Sequence, residues 1–138
     1  MRILRIALVA AAIALSPTGA AFAGDTDPLF VNATTDQPHR AEMALVFSKN
    51  QLERKHPVTI FLNDRGVLIA STANGENFKK QQELIKTLIA GGATIFACPM
   101  CMQHYGVKEA DLVSGIKMGN PEAVGGALFK DNTKTLTW

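Results

Sequence analysis

The sequence predicts a single α/β domain built on a mostly parallel sheet with helices on both faces. Three observations predict it. Apolar, β-branched runs alternate with helix-period segments in the order β-α-β-α-β-α-α-β. The second of those runs, Val58-Thr59-Ile60-Phe61-Leu62, carries no charge, as a strand covered on both faces would read. No internal repeat, low-complexity tract or linker interrupts the alternation.

Each element has a local reason. Residues 28–31 read as the first strand, ending in a turn. Asp36 and Pro38 suit a helix start, with a capping side chain and then a proline in the first turn. Ala41, Ala44, Leu45, Ser48 and Leu52 fall on one face of that helix, and Lys49, Arg54 and Lys55 lie near its end, where the helix dipole favours cations. His56-Pro57 breaks it; His39 and His56 are given no role. The strand at 58–62 ends in the turn Asn63-Asp64-Arg65-Gly66, and the apolar run at 67–70 walls the loop or extends the strand. Asn74-Gly75-Glu76-Asn77 offers a cap for a second helix. That helix should bury Phe78, Ile85, Leu88 and Ile89, turn Lys79, Lys80, Gln82 and Lys86 outward, and stop at Gly91-Gly92. A third strand over 93–97 runs directly into Cys98. Gly106 stops a short helix, Met118-Gly119-Asn120-Pro121 shapes a loop, and Asn120-Pro121 caps a last helix through Phe129. Asp131-Asn132 turns the chain into an alternating final strand over 133–138, with Trp138 as an anchor against the core or a subunit interface.

The ends bear on compartment. Arg2 and Arg5, an uncharged apolar run over 6–15, the breakers Ser16, Pro17 and Gly19, and Ala21-Phe22-Ala23 form a secretory signal peptide over residues 1–23, cleaved before Gly24. A run this short does not make a membrane-spanning helix, and no later segment is long and apolar enough, so no stable membrane insertion is expected after cleavage. The expectation is a periplasmic or otherwise exported protein whose single domain covers 24–138. Removing Arg2 and Arg5 brings 14 basic residues to 12, level with the 12 acidic ones. A near-neutral chain without a basic run or aromatic stripe gives no case for nucleic acid. No cofactor is implied.

Only two cysteines are present, both in Cys98-Pro99-Met100-Cys101. Strand-end positions are where chemistry collects in open α/β sheets. Pro99 is placed as the first residue of the following helix, so Cys98 would sit near its N-cap, a position that favours thiolate. Cys101 lies one turn on, within reach. Three readings compete. Cys98 is a nucleophile or sulfur carrier that Cys101 resolves. Alternatively, Cys98, Cys101, Met100, Met102 and His104 form a soft-metal site suited to Cu(I), to which Met118 could add a ligand. In the third, the pair is inert in a structural oligomer subunit. A thioredoxin reading fails, because that fold carries its Cys-x-x-Cys after an early strand, whereas here it follows the third, with Ala97 before it and the only Trp at position 138. Asp64-Arg65 could line the same mouth, though a solvated turn pair is the plainer reading.

Gly91-Gly92-Ala93-Thr94-Ile95-Phe96-Ala97-Cys98 with Gly106-Val107, and Phe61-Leu62-Asn63-Asp64-Arg65-Gly66-Val67 upstream, resemble the DsrE/DsrF-like family, which includes TusD-related sulfur-relay subunits. The resemblance spans residues 29–138. It implies a compact three-layer sandwich, loosely flavodoxin-like, that assembles into homotrimers or hexamers. It also implies a persulfide on Cys98, exchanged with a sulfur-donor or acceptor protein. No relay role transfers to Cys101, which could instead release the sulfur by closing a disulfide. The cytoplasmic, tRNA-linked role of relay members does not transfer to a chain with an export signal.

Overall fold

A computed structural model describes residues 24–138; the signal-peptide assignment lies outside the described residues. Five strands form one sheet: β1 (Leu29–Ala33), β2 (Val58–Leu62), β3 (Thr94–Ala97), β4 (Lys117–Met118) and β5 (Lys134–Thr137). Their order is β4-β3-β2-β1-β5, and every pairing is parallel. Two long helices, α1 (Pro38–Glu53) and α2 (Gly75–Ala90), make the first two crossovers. The short helices α3 (Pro99–Tyr105) and α4 (Pro121–Leu128) follow β3 and β4.

The alternating side chains of the strands separate two faces. Leu29, Val31, Ala33, Val58, Ile60, Leu62 and Ile95 pack with Leu45 of α1 and with Ile85 and Leu88 of α2 in one core, and burying each large side chain of this set contributes about 1.5–3 kcal/mol. The opposite face is thinner. Phe30 and Phe96 are buried there, but Thr59 and Phe61 are half-exposed, and no residue of α4 is fully buried. The uncharged 58–62 run is therefore fully covered on one face and partly on the other, because the short α4 gives the second face little cover.

Four details depart from the sequence-based expectation. Residues 117–118 are not part of a loop: Lys117 and Met118 add an edge strand beside Phe96 and Ala97. The 67–70 run is neither wall nor strand but the end of a 3₁₀ helix, Asp64–Ala70, that carries Val67, Ile69 and Ala70 into the interior. Gln82 is buried rather than outward, and its Nε2 donates to the carbonyls of Ser71 at 2.8 Å and Ile69 at 3.3 Å, tying α2 to that segment. Asp36 does not cap α1; Gln37 occupies that position without a side-chain cap, and the Asp36 carboxylate turns to Arg65. The caps expected at Asn120 and Gly106 are present: Asn120 Oδ1 accepts from the Ala123 N–H at 2.8 Å, and Gly106 closes α3 at φ 71°. Trp138 is anchored. Its backbone bonds to Asn32 and Thr34, and its ring tilts against Phe47 with centroids 5.7 Å apart.

The turn after β2 folds back over the end of β1. A Cβ on Gly66 would lie 2.2 Å from the Ala33 carbonyl oxygen, a backbone atom that cannot move aside alone. Gly66→Ala is expected to cost about 3 kcal/mol or more, read as a lowered urea midpoint with an unchanged slope.

Candidate functional site

The site is set by parallel pairing. β2 and β3 align Leu62 with Ala97, and the Cys98 N–H continues the ladder to the Leu62 carbonyl at 2.9 Å. The residues that follow the two strands, Asn63-Asp64 and Cys98, therefore emerge side by side at the carboxyl edge of the sheet. Cys98 is the N-cap of α3, with φ −73° and ψ 115°, and Pro99 takes the first helical position, where its missing N–H costs nothing. The Cys98 carbonyl accepts from the Met102 N–H at 2.9 Å, which closes the first turn and brings Cys101 back beside Cys98. Both thiols are free and half-buried, and Cys98 is near enough to raise the Cys101 thiol.

Their surroundings differ. Cys101 Sγ accepts from the backbone N–H of Asp64 at 3.1 Å. Asp64 holds a left-handed backbone, φ 46°, and its Oδ1 accepts from the Tyr105 hydroxyl at 2.5 Å. Arg65 lies with its guanidinium 5.7 Å from the Tyr105 ring centroid, and it is fixed there by a bidentate pair with Asp36 at 2.8 and 2.5 Å. Burial pushes the Cys101 thiol above its ordinary range, the contact with Cys98 pushes the same way, and the Asp64 N–H pulls against both. The Tyr105 phenol is raised chiefly by its bond to Asp64, and the Asp36 carboxyl is lowered chiefly by Arg65. The surroundings of Cys101, burial first, thus favour its protonated form.

On its other side Cys98 borders a cleft of about 330 Å³ shared with Phe61, Pro99, Met100, Pro121 and Val124. The remaining candidates scatter. Met100 is 80% exposed, whereas Met102 is 3% exposed in a small core with Val67, Ala97 and Val107. His104 is exposed and meets the Tyr105 ring edge-on at 4.7 Å, and Met118 packs at the margin of the Met102 core. Among the described residues, no group of three His, Cys, Asp or Glu side chains is gathered as metal ligands would be. The structure brings Cys98 and Cys101 together but spreads Met100, Met102 and His104 apart. Asp64 and Arg65 are both exposed, as a solvated turn pair would be, and both also join the Cys101 side of the site. Tyr105 and Asp36 had not been singled out as site residues. The one sequence signal for Asp64 was its place at the end of a buried strand.

The fold and site define a class: an α/β domain with a parallel five-stranded sheet and a thiol pair at the carboxyl end of its third strand. The chain belongs to the DsrE/DsrF-like family, whose model matches residues 29–133. An uncharacterised protein of Methanocaldococcus jannaschii is 34% identical over 93 residues, spanning 64% of this chain and 82% of its own. Among solved structures, a protein of unknown function from Methanobacterium thermoautotrophicum superposes with TM-score 0.68 at 11% identity, over 81% of this chain and 99% of that one. The ychN protein of E. coli does so with TM-score 0.60 at 16% identity, over 82% and 99%. These last two likenesses establish the fold.

Asp64→Asn keeps the backbone donor and the acceptor for Tyr105 while removing a charge that holds the Cys101 proton on. In a Cys98→Ala chain, Cys101 should titrate above its ordinary 9.0, and adding Asp64→Asn should move the midpoint down, read by thiolate absorbance. A thiol raised in the folded state stabilises below its unfolded value and loses that contribution as pH rises through the folded one. Urea melts taken upward from pH 9.0 should therefore show a loss of stability that Cys101→Ala reduces.

Proposed function

We propose that this protein is an exported sulfur carrier, with Cys98 as the nucleophile that takes up a sulfane sulfur and Cys101 as the thiol that releases it. The observation that carries the reading is the unequal pair at the strand end: one thiol borders an open cleft, and its neighbour is turned to the Asp64 backbone N–H and raised chiefly by burial. Membership of the DsrE/DsrF-like family supports sulfur chemistry, and the signal-like leader supports export. The same membership supports assembly into homotrimers or hexamers. The scatter of Met100, Met102 and His104 weighs against the Cu(I) reading.

The steps balance. The Cys98 thiolate attacks the terminal sulfur of a donor persulfide, the donor S–S bond breaks, and the donor leaves as a thiolate. Cys98 then carries –S–SH. Release follows when Cys101, on losing its proton, attacks the Cys98 Sγ. The sulfane sulfur departs as hydrosulfide, reduced by two electrons, and the pair is left as a disulfide. An external dithiol must then reduce it for another cycle. A partner protein that attacks the terminal sulfur takes it without oxidising the pair.

Intact-mass measurement of the mature chain, purified from its native compartment without reductant, should show a gain of one sulfur mass that vanishes on reduction. Cys98→Ser should abolish the gain. Cys101→Ser should preserve it and lengthen its lifetime several-fold. Sulfur uptake that survives Cys98→Ser would sink the proposal.

A further inference from the structure

The thiol pair has two unlike sides. Charged and phenolic groups, Asp36, Asp64, Arg65 and Tyr105, gather on the Cys101 side, where each is bonded to another. Among the described residues that line the cleft beside Cys98, none is ionisable other than Cys98 itself. Its one polar side chain, Asn120, already spends Oδ1 on the Ala123 N–H at 2.8 Å. Gly119 shapes the wall: a Cβ there would lie 3.2 Å from Val124 Cγ2 and 3.3 Å from Phe61 Cε2, so its absence lets α4 close on Phe61. At about 330 Å³ the cleft has the capacity of a small-molecule site. Met100 stands at its margin, 80% exposed, a flexible apolar side chain that can fold over a guest.

From this lining we infer that the cleft receives a small organic hydropersulfide, R–S–SH, whose organic group R carries no charge, as the donor to Cys98. This inference rests on the carrier reading and names its substrate class. A charge on that organic group would shed its hydration among Phe61, Pro121 and Val124 and find no cationic side chain in the lining to replace it. An uncharged organic group lies against Phe61 and Val124, with the terminal sulfur, in its protonated form, toward Cys98. The Cys98 thiolate attacks that sulfur, and the donor S–S bond breaks with its electron pair leaving on R–S⁻, which takes a proton from water. The terminal sulfur keeps its own hydrogen, Cys98 becomes –S–SH, and nothing is oxidised overall.

The test uses the Cys101→Ser chain, in which only Cys98 can react. Two donors differ by one charge on the organic group: the hydropersulfide of N-acetylcysteine amide, whose organic group is uncharged, and that of N-acetylcysteine, whose organic group carries a carboxylate. Each rate of Cys98 persulfidation is divided by the rate with free cysteine. The amide donor should be preferred by at least about tenfold, the effect of one poorly compensated charge. Val124→Lys should raise the rate of the carboxylate donor and collapse the preference. If that variant does not fold, the comparison on the Cys101→Ser chain still decides. Equal normalised rates would overturn the inference while leaving the carrier reading in place. A parallel pair of uncharged and anionic methanethiosulfonates reads the cleft without sulfur transfer. If the uncharged reagent wins there but neither hydropersulfide loads Cys98, the selectivity of the cleft is upheld and the carrier reading is overturned.

Discussion

The register between β2 and β3 governs the rest of the site. With Leu62 opposite Ala97, the first residues beyond each strand are neighbours, and the Cys98 N–H bonds back to the Leu62 carbonyl. A one-residue slip would turn every side chain of β3 to the wrong face and withdraw Ile95 from the core. The register is thus held by burial of Ile60, Leu62 and Ile95, all fully enclosed. Their packing fixes where Asp64 and Cys98 emerge, and so sets the distance from the Asp64 N–H to Cys101 Sγ.

Much of the fold was legible because its signals are local. Apolar runs, Pro99 and Pro121 at helix starts and Gly106 at a helix end each act within a few residues, and the structure has them as read. The pairing of Cys98 with Cys101 was legible for the same reason, since one turn of helix joins them. The rest depends on distant contacts or competition. Lys117-Met118 is too short to show a period, and only the exposed edge of β3 makes it a strand. Asp36 has the local look of a cap, but a bidentate guanidinium offers two charge-assisted bonds where a cap offers one. Gln82 reads as polar and therefore outward, yet the carbonyls of Ile69 and Ser71 give its amide a buried partner set.

The polar half of the site was hidden most completely. Tyr105 and Asp64 are 41 residues apart, and their contact requires Asp64 to hold φ 46°, a conformation a non-glycine residue adopts only when its surroundings compel it. The constraints are visible once the chain is folded. Gly66 packs on the Ala33 carbonyl, the Asn63 N–H bonds that same oxygen at 3.0 Å, and Arg65 is tied to Asp36. Asp64 lies between fixed points, and its backbone amide is presented to sulfur as a result.

Two thiols of one kind, one turn apart, have no order of action unless their surroundings impose it. Cys98 is the N-cap and has extended rather than helical dihedrals, so it can border the Phe61–Val124 cleft while still touching Cys101. Cys101 lies within the helix and faces the Asp64 turn, where burial and its neighbour keep its proton in place. A thiol that gives up its proton late attacks late. On the proposed carrier reading, a Cys101 raised by burial leaves time for a group on Cys98 to be passed on through the cleft before the pair closes. A second thiol without that constraint would discharge the first as soon as it was loaded.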